Sequence, residues 1–473
     1  MTTTSVGADH LTSSYLSSYS NTSSINSFTR RHSIYGTEDR VVLDIGSFYI
    51  KCGFSGESHP RHIVPTWTNL DRSKQRDGEA FRIDAKMNEL YTLDIMAQGN
   101  IDQVEEKLKR LLHDIYFRLL LTEPKSRKVI LCESPLTPIV LKQTIARLLF
   151  DYFQVPSLTF VPVHLTALLT TGVTTGLVLD VGHLETTVVP IYSARPLIPC
   201  MTSTPLAGDT VMKRLKALLV AHGRLIPPSH LHLSLAPQIA IPSERLTLEL
   251  LEAIKTEVLF CTLPSHPSSA QPSSSVNHPD VPARFDTLSP SDQQQAQRDS
   301  SHATDVYFSL PNEKAKLLIP GWIRAHAMAI LFDGSNEDDY QFEANDCHED
   351  QPGLAHTVLD CLLKLPPDVR KPLSQSMLVI GGSAMVPGFH ARLLYTLASI
   401  LQHPTPYEQQ RYRPLMGLAS HFQCLDQKSA LFKSNIRGWV GGSLMGSLKL
   451  SGKEMVKEKF NGTVTDWSIT DEK

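Results

Sequence analysis

Hydrophobic order begins at Val41. Residues 41–44 form a short apolar run that closes on Asp44-Ile45-Gly46, and Tyr49–Phe54 follows, which predicts strand, glycine turn, strand. Residues 67–97 are polar and irregular. From Asp102 the apolar positions Leu108, Leu111, Leu112, Ile115 and Leu119 recur at helical spacing, with Glu105 as a capping-box partner three residues into the helix. Strands at 129–132, 158–161 and 177–181 then alternate with helices at 138–150 and 164–171. A helical stretch covers 246–260, and Met377–Ile380 leads through Gly381-Gly382 to a helix starting at Pro387. Strands alternating with helices mean an α/β architecture with sheets buried by helices.

Three stretches break the pattern. Residues 1–39 are rich in Ser and Thr with few apolar anchors, so burial cannot offset their ordering entropy and a disordered tail is expected. Residues 262–304 form a Ser/Pro/Gln-rich insert, too long and polar for a packed loop. Residues 333–351 carry eight acidic side chains and no Lys or Arg, a solvated loop or a docking site for a basic surface. The Cys347-His348-Glu349-Asp350 run within it lacks a second ligand pair at zinc spacing.

Composition narrows the classes. With 473 residues, 41% apolar and 20% charged, the chain has the make-up of a globular protein whose core is not limited by size. Its 45 basic and 48 acidic side chains leave a formal charge of −3, which argues against broad electrostatic binding to nucleic acid or an anionic membrane. Seven dispersed cysteines without a C-x-x-C pair read as free thiols of a reducing compartment. No run of 18 apolar residues and no basic-then-apolar leader occur, so neither membrane insertion nor secretion is expected.

The strongest internal signal is a repeat. Val41-Val42-Leu43-Asp44-Ile45-Gly46 is echoed by Leu177-Val178-Leu179-Asp180-Val181-Gly182, and each is followed by a strand-like run, Tyr49–Phe54 and Thr186–Tyr192. Two such hairpins suggest similar halves facing across a cleft. The glycines let a turn backbone approach an anion closely, so that turn N–H groups cradle phosphate oxygens. Asp44 and Asp180 at the strand ends can hold a hydrated Mg²⁺, and Lys51 can neutralise phosphate charge. A G-x-x-x-x-G-K-[ST] loop is absent, because Gly441 to Ser447 has a serine where the lysine belongs. Neither G-x-S-x-G nor H-E-x-x-H occurs, so acyl transfer and zinc hydrolysis have no support.

These motifs resemble those of actin. Asp44-Ile45-Gly46-Ser47 with Lys51-Cys52-Gly53-Phe54 resembles its first phosphate motif, and Leu179-Asp180-Val181-Gly182 with Val189-Pro190-Ile191-Tyr192 its second. Gly381-Gly382-Ser383-Ala384-Met385-Val386-Pro387-Gly388 is similar to the adenosine motif, and Trp439-Val440-Gly441-Gly442-Ser443-Leu444 to the C-terminal motif. The resemblance implies an α/β, actin-like ATPase fold of two similar halves around a nucleotide cleft. The first half would take 40–175 plus 431–473, the second 176–430. ATP or ADP with Mg²⁺ is the implied cofactor, bound structurally or absent. Gly46, Ser47 and Gly182 would contact phosphates, Lys51 would neutralise charge, and Asp44 and Asp180 would hold the metal through water. Gly381, Gly382, Ser383 and Met385 would line the adenosine side, with Lys255 near the base.

The departures from actin are informative. Phe48 replaces the glycine after the first serine, and His183-Leu184 replaces the Asp-Gly pair of the second loop, so rebuilt turns are expected. Val163 stands where actin places its water-orienting glutamine, and His164 beside it is expected to point elsewhere. Slow or absent hydrolysis follows. Among actin-related proteins, Phe160-Val161-Pro162-Val163-His164-Leu165 and the Trp439-to-Leu448 segment are similar to the actin-related protein 10 class, also numbered 11. That likeness implies a cytoplasmic, cytoskeletal structural subunit at the pointed end of dynactin's short actin-like filament. Its partners would be the filament and pointed-end subunits, serving dynein-driven transport. The alternatives are a nuclear subunit of a chromatin remodeller and an active, filament-forming ATPase.

Overall fold

The computed structural model of the chain describes residues 40–67, 89–92, 101–227, 239–263, 304–310, 313, 315–334, 351–425, 431–448 and 454–464. The expected tail 1–39, nearly all of 262–304, nearly all of 333–351 with its Cys347 run, and most of 67–97 lie outside the described residues.

In chain order the elements are β1 Val41–Ile45, β2 Tyr49–Phe54, β3 His62–Pro65, α1 Ile101–Asp114, β4 Val129–Glu133, α2 Ile139–Arg147, β5 Ser157–Pro162, α3 Val163–Leu169, β6 Gly176–Val181, β7 Thr186–Tyr192, β8 Arg195–Pro196 and β9 Thr202–Thr204. They continue as α4 Gly208–His222, β10 Arg224–Ile226, β11 Ile239–Ala240, α5 Leu248–Val258, β12 Val306–Ser309, β13 Lys316–Ile319, α6 Gly321–Asp333, α7 Leu354–Lys364, α8 Pro367–Ser374, β14 Met377–Ile380, α9 Phe389–Gln402, α10 Pro406–Tyr412, α11 Arg437–Ser447 and β15 Glu454–Val456.

The chain divides into two compact units. Among the described residues, the larger takes those of Tyr35–Gly208, Leu354–Met385 and Thr396–Lys473, and the smaller those of Asp209–Gly353 and Val386–Tyr395. Both copies of the repeated hairpin fall in the larger unit, so this division does not follow the two halves suggested by the repeat.

The larger unit holds two sheets. One runs β15-β5-β4-β1-β2-β3, with β1, β4 and β5 parallel and the outer pairs antiparallel. The other runs β14-β6-β7-β8, with β9 also on β7. In β1 the side chains alternate between two cores. Val41, Leu43 and Ile45 join a cluster with Leu108 and Leu112 of α1 and Leu141 and Ile145 of α2, while Val42 joins Val163, Trp439 and Val440. A strand covered on both faces explains the unbroken apolar run. Helix α11 seals the second face. Trp439 is fully buried and its Nε1 donates to Val42 O at 3.0 Å. A Cβ on Gly441 would stand 2.3 Å from the Thr166 backbone, and one on Gly442 2.5 Å from Cys132 Sγ, so this Gly-Gly pair serves close helix packing.

Local differences from the expected pattern have local causes. Helix α1 starts one residue before Asp102, and Glu105 forms an ion pair with Arg147 of α2, so its role is not that of a capping-box partner. After Asp114 the chain continues as a π-helical turn, Ile115–Leu119. The wider turn shifts the apolar stripe, so that Tyr116 and Leu120 are buried and Leu119 only partly. Helix α2 ends in the same way, in the π-turn Leu148–Tyr152.

The smaller unit carries an antiparallel sheet, β11-β10-β13-β12. Helix α5 is capped by Thr247, whose side chain accepts from Leu250 N. Helix α9 begins at Phe389, two residues later than expected, because the Pro387 carbonyl accepts from Cys261 N–H at 2.8 Å and is diverted from helical bonding.

A buried ion pair ties β4 to α2 in the larger unit. Lys142 Nζ lies 3.0 Å from Glu133 Oε2, with the two side chains only 2% and 3% exposed. Removing one partner leaves the other charge buried without this ion pair. Lys142→Met is expected to lose about 3–5 kcal/mol of stability by urea denaturation. The double variant Lys142→Met/Glu133→Gln is expected to recover most of that loss.

Candidate functional site

The repeat is a repeat in structure. Gly46 N–H donates to Tyr49 O at 3.0 Å, and Gly182 N–H donates to Glu185 O at 3.1 Å, closing the two hairpins by equivalent bonds. The registers correspond as well, with Asp44 opposite Lys51 in one and Asp180 opposite Thr187 in the other.

Charge gathers at the strand ends. Lys51 Nζ donates to Asp44 Oδ2 at 2.6 Å. Burial works against the Lys51 ammonium, but Asp44 and Asp180 outweigh it and hold its pKa above the ordinary lysine value. Burial pushes the Asp180 carboxyl up to about 6, against the pull of Lys51 and with a push from Asp44. Glu185 is raised to about 7, first by burial and then by Asp180. Cys132, paired with Asp44 in the β1–β4 register, has its thiol raised well above the usual range by burial.

The third strand–glycine element joins them. Strand β14 runs parallel to β6 with Ile380 opposite Asp180. Gly381 has φ +102°, and a Cβ there would lie 2.1 Å from Val181 O, so only glycine lets this loop close on β6. Ser383 is buried, and a Cβ on Gly208 would come within 3.2 Å of its Oγ, while Gly208 N–H donates to Gly182 O at 3.1 Å. A Cβ on Gly382 would meet open space. Asp44, Gly46, Ser47, Lys51, Asp180, Gly182, Gly381, Gly382 and Ser383 therefore share one unit. Met385 is in the same unit with its side chain well exposed. Lys255 is in the smaller unit, on α5, with its Nζ 2.6 Å from Glu252 Oε2.

The turns themselves are filled. Phe48, only 3% exposed, stacks on His183 of the other turn with ring centroids 3.9 Å apart and planes 21° from parallel. The Trp67 ring lies 4.0 Å from Phe48, and His183 Nε2 donates to Glu89 Oε1 at 2.7 Å. The first turn is pinned from behind: Thr66 Oγ1 donates to Ser47 O at 2.7 Å, Leu90 N–H to Ser47 O at 2.7 Å, and Thr66 N–H to Phe48 O at 3.1 Å. Thr66, Trp67, Glu89 and Leu90 belong to or border the irregular 67–97 stretch, which gives no periodic signal. Glu185 lies one residue beyond the motif at Asp180-Val181-Gly182-His183-Leu184, where the repeat had already pointed.

Val163 is buried in an apolar cluster with Trp439 and Val440, and a Cβ on Gly438 would meet its side chain at 2.2 Å. His164 turns into the second hairpin, where its Nε2 hydrogen-bonds Thr187 Oγ1 at 2.8 Å, and burial lowers its pKa to about 3. Val163 has no polar atom to offer a water, and the Nε2 of His164 is taken up by Thr187.

Comparison with known proteins agrees with this architecture. A protein-family model described as Actin matches residues 36–460. The chain belongs to the actin family. It is 27% identical over 429 residues to "Actin-related protein 10" of Dictyostelium discoideum, covering 86% of this chain and 82% of that protein. It is 24% identical over 422 residues to "Actin-like protein 7A" of Rattus norvegicus, covering 86% and 77%. The α/β layers described above are an actin-like fold.

That family's fold usually carries a nucleotide with a metal ion. The strand-end groups suit such a ligand, since Asp44 and Asp180 have the chemistry of water-mediated magnesium ligands and Lys51 that of a phosphate partner. The turns do not suit it. A phosphate tail held by the N–H groups of both turns would meet the stacked rings of Phe48 and His183. As they stand, the residues do not fit the phosphates of a nucleotide, and no hydrolytic step follows from them.

The raised carboxyls make stability depend on pH. Their folded pKa values exceed those of the unfolded chain, so the folded state binds more protons between about pH 4 and 7, and stability falls as pH rises through that window. Glu185→Gln removes one such group. The variant is expected to be more stable than the parent by about 1–2 kcal/mol at pH 8, with the difference vanishing near pH 4, as read from urea midpoints at the two values.

Proposed function

We propose that this chain is a non-catalytic, structural actin-related subunit. It would cap the pointed end of a short actin-like filament within dynactin and support dynein-driven transport along microtubules. The observation that carries the non-catalytic part is the site itself. Bulky rings fill the two turns, Val163 offers no polar group to an attacking water, and the Nε2 of His164 is engaged by Thr187. Membership of the actin family and similarity over most of the chain to a protein named actin-related protein 10 support the rest. Its partners would then be actin-like filament subunits and the other pointed-end subunits, in the cytoplasmic cytoskeleton.

A subunit that adds to one end and accepts no successor offers one heterologous interface only, which stops growth after a single addition. The purified chain is expected to block subunit exchange at one end of an actin-like filament, seen by fluorescence microscopy of end-labelled filaments. It is also expected to release no phosphate from Mg-ATP above background. Self-assembly into long filaments, or magnesium-dependent turnover abolished by Asp180→Ala, would reject the proposal. Affinity capture yielding chromatin-remodelling subunits in place of dynactin would move the chain to the nuclear alternative.

A further inference from the structure

Each hairpin turn contributes one ring to a stack that bridges them. Phe48 comes from the turn closed by Gly46 and Tyr49, His183 from the turn closed by Gly182 and Glu185, and their centroids are 3.9 Å apart. Trp67 extends the stack on Phe48, and Tyr49 meets both Phe48 and Trp67 edge-on, at 5.3 and 5.1 Å. Glu89 fixes the far edge of the imidazole. Burial of rings at this spacing stabilises by apolar area and by ring–ring contact together. In effect, the two hairpins are tied to one another by side chains of the chain itself.

The place has not become an ordinary apolar core. His183 Nδ1 and Trp67 Nε1 are buried and have no hydrogen-bond partner among the described residues. A buried unpaired nitrogen costs about 1–3 kcal/mol, and apolar packing alone gives no reason to keep two of them. Beside them stand Lys51, Asp44 and Asp180, the charged groups suited to a metal-bound phosphate. The polar fittings of an anion seat survive around a ring that blocks it.

We infer that the Phe48–His183 stack is a built-in substitute for nucleotide: it ties the two hairpins in the ligand's absence, and Phe48 is the element that excludes a nucleoside polyphosphate. The inference rests on the structural reading above and deepens it, since a subunit locked this way holds its shape through any change in nucleotide supply. Replacing the Phe48 ring with a small residue removes the obstacle and exposes the unpaired nitrogens to phosphate oxygens. The price is the loss of the tie.

The test uses the full chain, with Mg-ATP, Mg-ADP and inorganic phosphate as probes. Wild-type protein is expected to release no nucleotide on acid extraction, and its melting temperature is expected to be unmoved by Mg-ATP or by EDTA. Phe48→Gly is expected to melt lower than wild type, and to rise by about 3 °C or more with saturating Mg-ATP, a response lost on adding EDTA. Phe48→Ala serves as a milder variant if Phe48→Gly does not fold. Nucleotide extracted from wild type, or a wild-type shift equal to that of the variants, overturns the inference. So does a folded Phe48 variant that answers none of the probes. Filament-end blocking is measured on the same wild-type preparation without nucleotide. Loss of blocking with no nucleotide bound would tell against the capping role alone, whereas nucleotide binding with blocking intact would tell against the lock alone.

Discussion

The site depends on the pairing of one buried ammonium. Lys51 donates to Asp44 at 2.6 Å and feels Asp180 beside it, and burial alone would strip its charge. Without that ammonium, Asp44 and Asp180 would face each other at the ends of β1 and β6 in a poorly hydrated place. Burial, with a smaller push from the neighbouring carboxylates, still leaves Asp180 and Glu185 raised despite the lysine. A divalent cation would relieve the crowding of these carboxylates.

What the chain has added stands against that chemistry. Phe48 and His183 bring ring surface to two turns whose backbones are otherwise alike, each closed by a glycine N–H to the carbonyl three residues on. The rest of the larger unit accommodates the bulk. Thr66 and Leu90 take up the carbonyls of the first turn, and Glu89 takes the imidazole edge. Val163 packs against α11, and His164 is engaged with Thr187.

Much of the fold was legible because buried strands carry their own signature. The apolar runs ending in Asp44 and Asp180, and the alternation with helices, are local patterns, and the structure places those strands within one or two residues of expectation. Of the residues singled out from the motifs, Asp44, Lys51 and Asp180 lie near one another. Misses fell where bonding was non-local. Glu105 bonds to Arg147 across two helices, and the Pro387 carbonyl is captured by Cys261. Neither of these is encoded in a short window.

The sequence by itself determined the family, the repeated hairpin and the presence of bulk at positions 48 and 183, because residue type and spacing are properties of the chain. Only the tertiary structure decided what that bulk does. Phe48 and His183 are 135 residues apart, and nothing in either turn says that their rings would meet. The two hairpins belong to separate sheets, so their contact is a matter of packing and not of strand pairing, with Trp67 and Glu89 arriving from a stretch without periodicity. Packing is a sum over neighbours distant in sequence, so whether a turn is open or plugged is settled in three dimensions.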